Sequence, residues 1–186
     1  ILHKIEKQES PAIAMLADQM TATVQAGHAV YIFGCTHAGI LAEEAFYRAG
    51  GLAIMNPLFI GGLLTSNSPV ALTSQLERQE GYCSHVPELS GMQKGDLLLL
   101  HSVSGRNPAS IDLALAARRL GVYVAVITAM SYAGKVASRH SSGKLLYEMA
   151  DLVLDDHCPV GDALVGVGQT GMRVAPASTI AGCAIL

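Results

Sequence analysis

Apolar and polar positions alternate along this chain between two periods. From residue 11 to 26, Ile13, Leu16, Ala17, Met20 and Val24 recur at helical spacing. Ser10-Pro11 reads as the N-cap and first position of that helix, and Gly27 closes it. Ala29-Val30-Tyr31-Ile32-Phe33 is then a continuous apolar run of strand length, followed by a turn from Gly34 to Gly39. Residues 40–49 return to helix, ending at Gly50-Gly51, and Leu52 to Met55 reads as a short strand. Residues 56–73 are rich in Gly, Ser, Asn and Pro and carry no period. Thr73-Ser74-Gln75 opens a short helix bearing Glu77, Arg78 and Glu80. The clearest strand is Asp96-Leu97-Leu98-Leu99-Leu100-His101. A helix over 108–120 follows, with Ile111, Leu113, Ala114, Leu115 and Ala117 as its apolar positions and Gly121 at its end. Strands over 122–127 and 151–154 complete the pattern.

Short apolar strands alternating with helices point to βαβ units, and hence to an α/β fold with a doubly wound, five-stranded parallel sheet flanked by helices. Ligands of such sheets bind outside the carboxyl ends of the strands. Residues 1–186 form one domain in this reading, an N-terminal helix over 1–27 and an α/β core over 28–186. The composition agrees, with 51% apolar and only 15% charged residues, as strands buried on both faces or a subunit interface require. No run approaches the roughly 18 apolar residues of a spanning helix, so no membrane is expected. A net charge of −3 without any Lys/Arg run offers no footprint for nucleic acid. Cys35, Cys83, Cys158 and Cys183 form no C-x-x-C pair, which argues against a zinc ribbon or disulfide framework and for reduced thiols in the cytoplasm. The chain shows no signal peptide, begins without Met and ends within an apolar helical pattern at Ala184-Ile185-Leu186, so the natural protein is expected to extend further.

The chemistry concentrates in the strand-to-helix turns. In His101-Ser102-Val103-Ser104-Gly105-Arg106-Asn107, Ser102 and Ser104 supply hydroxyls and Gly105 allows close backbone approach. Asn107 stands at the N-cap place with Pro108 behind it, and the free N–H groups of a helix start favour an anion. Arg106 can add a charge-assisted contact. Capping alone accounts for Asn107 but not for two further hydroxyls after an all-Leu strand. The turn Gly34-Cys35-Thr36-His37-Ala38-Gly39 has the same setting, but fits neither G-x-G-x-x-G nor a Walker A loop. Ser104 lacks the preceding glycine of a nucleophile elbow.

Together these turns resemble the sugar isomerase (SIS) domain family of phosphosugar-binding proteins, over nearly the whole chain. The turn 102–107 is similar to the family's S-x-S-G-x-[ST] phosphate loop, with Asn107 in the last place. Gly34 to Ala38 resembles its G-x-G-x-S loop, with Thr36 replacing the second glycine and Ala38 the serine. The stretches 42–51 and 161–165 are similar to a phosphoheptose isomerase-like bacterial subgroup. The resemblance implies a flavodoxin-like sheet and a sugar-phosphate ligand held by Thr36, His37, Ser102, Val103, Ser104, Gly105, Arg106, Asn107 and Ser178. It also implies a homodimer or homotetramer. Aldose–ketose isomerisation needs a base and a proton shuttle. In isomerase and etherase relatives a catalytic glutamate lies in the helix after the first loop, about one turn further along; Glu44 shares that face and is the preferred base, with Glu43 beside it. His37 and His140 are the candidate proton carriers. No H-E-x-x-H spacing occurs, so no metal and no cofactor are expected. A sugar-phosphate lyase or etherase uses the same scaffold, and a non-catalytic sugar-phosphate sensor is the competing class, favoured by the altered first loop. A nucleotide-binding domain is the weakest reading, because Met55-Asn56-Pro57 supplies no ribose-binding acid.

Overall fold

The computed structural model describes residues 1–186. Its helices are α1 (Leu2–Lys4), α2 (Ser10–Gln25), α3 (Ile40–Ala45), α4 (Ala71–Leu76), α5 (Val86–Leu89), α6 (Pro108–Arg119), α7 (Met130–Ala133) and α8 (Ser178–Ile185). The strands are β1 (Val30–Gly34), β2 (Met55–Pro57), β3 (Leu97–His101), β4 (Tyr123–Thr128), β5 (Leu152–Asp155), β6 (Val165–Gly166) and β7 (Arg173–Val174). The first five form one sheet in the order β2-β1-β3-β4-β5, every pair parallel, which is the doubly wound arrangement expected from the sequence.

Leucine is a good helix former, yet Leu97–Leu100 are strand. All of them are fully buried. At about 1.5–3 kcal/mol per buried leucine, burial on both faces outweighs propensity differences below about 1 kcal/mol per residue. Leu97 and Leu99 pack with Leu16 and Met20 of α2, Leu41 of α3 and Ile185 of α8. Leu98 and Leu100 pack with Ile111, Ala114 and Ala117 of α6. The sheet is therefore covered on both sides, and its carboxyl ends are left to the turns. No helix is long and apolar enough to cross a membrane.

Several local expectations are corrected. Ser10 is no N-cap, because it has helical angles (φ −49°, ψ −40°) and the helix continues upstream through a π-helical turn, Ile5–Glu9. Pro11 offers no N–H to the carbonyl one turn before it, and the widened turn absorbs that loss. The helix after the first turn stops at Ala45 rather than near 49. There Phe46 becomes extended and Tyr47 takes a positive φ of 46°, while the Phe46 ring meets Phe59 edge-on, 5.8 Å between centroids. β2 starts at Met55, later than expected, and the antiparallel β6–β7 ribbon is an addition that its short, glycine-rich sequence did not announce.

Candidate functional site

β1 and β3 are neighbours, and Gly34 pairs in register with His101, so both turns emerge side by side. In the turn after β3 every carbonyl from Ser102 to Asn107, except that of Ser104, is taken by the protein. Ser102 O accepts from Thr128 Oγ1 at 2.7 Å. Val103 O accepts from Ala129 N, Gly105 O from Leu146 N, Arg106 O from Arg139 N and Asn107 O from Ile111 N. The amides of Val103, Ser104, Arg106 and Asn107 have no protein acceptor. Gly105, at φ +58°, supplies the left-handed bend, and a Cβ there would lie 3.2 Å from Leu146 Cβ. The outcome is a set of free N–H donors in the turn that leads into α6, which favours an anion.

The first turn uses its backbone differently. Thr36 N donates to Leu63 O at 2.8 Å, Ala38 N donates to Cys35 O, and the His101 imidazole, through Nδ1, binds Ala38 O at 3.0 Å. Residues Thr36–Gly39 form a 3-10 turn, and Thr36 holds a positive φ of 53°. A β-branched side chain is disfavoured there.

Both turns line one cavity of about 210 Å3, together with the start of α8 and two carboxylates. Thr36, His37, Ser102, Val103, Ser104, Asn107 and Ser178 of the expected set all border it. Glu77, Asp162, Tyr132 and Ser110 border it too and were not singled out from sequence for this role. Asp162 holds φ +47°, which turns its carboxylate onto α8, where it accepts from Ala177 N, Ser178 N and Ser178 Oγ at 2.9, 3.1 and 2.5 Å. Glu77 follows α4 and reaches the cavity because its carbonyl accepts Ala109 N at the start of α6. Burial raises the Glu77 pKa, against the lowering by Arg78, the neighbouring Asn107 amide and Arg139. Asn107 is the helix's N-cap by position but makes no side-chain cap bond, since its Oδ1 accepts from Arg139 at 2.7 Å.

Other expected residues lie elsewhere. Glu43 and Glu44 are exposed and line no part of this cavity; Glu44 pairs with Arg48 and borders a separate cavity with Met20, Cys183 and Leu186. Because α3 ends at Ala45, no further helical turn carries that face toward the serine turn. His140 is away from the cavity, with Nε2 at 3.2 Å from Asp112 Oδ1 and 3.6 Å from Glu80 Oε1, so it pins the 138–142 segment against α6. The Arg106 Nε is buried without a partner, and neither Arg106 nor Gly105 borders the cavity by its side. A larger cavity, about 440 Å3, is bounded by residues 45–55 and is mainly apolar. Its one cation, Arg48, is already paired with Glu44, and it has no hydroxyl other than that of Tyr47, so its chemistry suits an anion less well.

Burial also sets the remaining titrating groups. The Cys35 thiol at the cavity wall is pushed far up by desolvation, with Cys83 adding to the rise, so it is no ready nucleophile. Desolvation lowers the pKa of fully buried His101, leaving the neutral ring as a brace for the first turn. Asp156, also fully buried, is raised to about 6 by desolvation. No group of three or more His, Cys, Asp or Glu side chains converges in a metal-holding arrangement.

Residues 1–129 match the SIS domain family. Over 186 residues, all of this chain and 76% of the relative, the chain is 47% identical to a UPF0309 protein of Shouchella clausii. The fold is similar to that of a phosphoheptose isomerase from Francisella tularensis, at a TM-score of 0.58 and 17% identity, covering 98% of this chain and 86% of that one. A phosphoheptose isomerase from Neisseria gonorrhoeae gives 0.59 at 18% identity, covering 98% and 85%. At such identities the likeness is one of fold.

Proposed function

The chain belongs to the SIS domain family, alongside its UPF0309 relatives, and from that premise we propose that it binds a sugar phosphate in the 210 Å3 cavity and interconverts its aldose and ketose forms. The observation that carries the binding is the serine turn, whose carbonyls are nearly all engaged outward while four amides and the Ser104 hydroxyl stay free beside a helix start. A phosphate dianion satisfies such an array. The cavity is smaller than the roughly 300–1,000 Å3 of drug-sized sites, which favours one sugar ring or open chain over a dinucleotide. Ser178, which also borders the cavity, has its hydroxyl proton committed to Asp162 and offers a lone pair to the ligand.

Isomerisation moves one proton between adjacent carbons and others between their oxygens. His37 is exposed at the cavity and is suited to the oxygen protons. The support for catalysis is this acid–base content together with fold relatives that are phosphoheptose isomerases. One observation favours binding without turnover, namely the altered first loop, whose Thr36 is held in a glycine conformation. The same reading places the protein in the cytoplasm, in keeping with its four free cysteines. It also places it in a homodimer or homotetramer, which would cover the exposed Val165, Met172 and Val174 of the β6–β7 region. Light scattering tests the assembly.

A panel of aldose and ketose 6-phosphates, each beside its unphosphorylated sugar, tests the reading by thermal shift and by conversion. Stabilisation by the phosphorylated sugars alone, with one of them converted, is expected. Stabilisation without conversion of any would overturn the isomerase, and equal response to unphosphorylated sugars would overturn the phosphate site.

A further inference from the structure

We propose that Glu77, and not a glutamate of α3, is the base that carries the proton between the two sugar carbons. The inference rests on the isomerase reading and adds its central residue.

The cavity at the serine turn holds two carboxylates, Glu77 and Asp162. Asp162 is spent structurally, because two amides and the Ser178 hydroxyl already donate to it. Glu77 lies beside the Asn107 side chain and borders the cavity, with no other side chain bonded to it. Its backbone is fixed by its own carbonyl, which accepts from Ala109 N at 3.1 Å, and the neighbouring Asn107 is held by Arg139 at 2.7 Å. The base and the phosphate-binding amides thus share one helix start, so a sugar anchored by its phosphate presents its carbons at a constant offset from the carboxylate. Burial raises the Glu77 pKa and so makes its carboxylate a stronger base than an exposed one, while Arg78 and Arg139 oppose the rise. Glu43 and Glu44 share none of this setting.

The chemistry balances within the substrate. The Glu77 carboxylate takes the hydrogen of the hydroxyl-bearing carbon, whose electron pair becomes a carbon–carbon double bond. The former carbonyl pair moves to its oxygen, which takes a proton from His37. The neighbouring hydroxyl then returns a proton to His37 as it becomes the new carbonyl. The Glu77 carboxylic acid gives its proton to the other carbon, restoring the carboxylate without any external oxidant or reductant.

The test follows hydrogen exchange in D2O by proton NMR, using the sugar 6-phosphate that most stabilises the wild type, with E77Q, E77D and E44Q. E77Q is expected to keep the thermal shift and to lose exchange at the sugar carbons by about 100-fold or more. E44Q is expected to exchange at the wild-type rate. E77D, which keeps a carboxylate and guards against a folding defect in E77Q, is expected to exchange slowly with a displaced acid limb in its pH profile. Wild-type exchange in E77Q or E77D, or loss of exchange in E44Q alone, overturns Glu77 as the base while leaving the isomerase standing. A wild type that binds the ligand but exchanges no carbon-bound hydrogen overturns both.

Discussion

The two turns at the ends of β1 and β3 occupy equivalent places in a parallel sheet and spend their backbones in opposite ways. In the first turn the amides of Thr36 and Ala38 bond the protein, and Ala38 O braces His101. In the serine turn the carbonyls do the bracing, and the amides of Val103, Ser104 and Asn107, on residues that border the cavity, have no protein acceptor. The left-handed bend is made by glycine in one, Gly105 at +58°, and by threonine in the other, Thr36 at +53°. Location at a strand's carboxyl end therefore permits a binding loop but does not make one. What makes one is which half of each peptide group the fold leaves free.

The largest contrast should come from glycine replacement. A Cβ on Gly34 would sit 2.3 Å from Ala38 O, a backbone atom, so Gly34→Ala should destabilise by about 3 kcal/mol or more in urea unfolding. Gly105→Ala meets the positive φ and a 3.2 Å approach to Leu146, and should cost about 1–2 kcal/mol while also weakening phosphate binding. Ser104→Ala removes a hydroxyl with no protein partner, so the fold should be unaffected, while affinity for a sugar phosphate falls about tenfold in calorimetry. Thr36→Gly makes the two turns alike, and relief of the β-branched strain should raise stability by about 1 kcal/mol, measured in the same unfolding series. The smallest effect is in pH dependence. Since burial raises the Glu77 pKa and the ionised form is the base, the acid limb of activity should fall at a pH above that of an ordinary glutamate. Asp156 acts on stability with the opposite sense. Its folded pKa of about 6 exceeds the unfolded value, so its contribution is full below the ordinary carboxylate range and is lost as pH rises through about 6.

Much of this fold was legible because its signals are local. Leu97–Leu100, Gly105 and Pro108 mark a buried strand, a bend and a helix start from sequence neighbours alone. The serine turn was legible for the same reason. Glu77 was not, since only the docking of its carbonyl on Ala109, thirty-two residues later, brings it to the cavity. Asp162 depends on a left-handed backbone that nothing in its sequence requires. His140 was misplaced because its partner, Asp112, lies on α6 and does not border the cavity. The extent of α3 was misjudged because Phe46 packs on Phe59, a tertiary contact that overrides helical periodicity.

Whether the serine turn holds the phosphate is decided by amide NMR during titration with a sugar 6-phosphate and with the same sugar unphosphorylated. The amides of Val103, Ser104 and Asn107, free of protein acceptors on residues that border the cavity, are expected to shift most and only with the phosphorylated ligand, while Thr36 and Ala38 move less. Largest shifts around residues 45–55, or equal shifts with the unphosphorylated sugar, would contradict it.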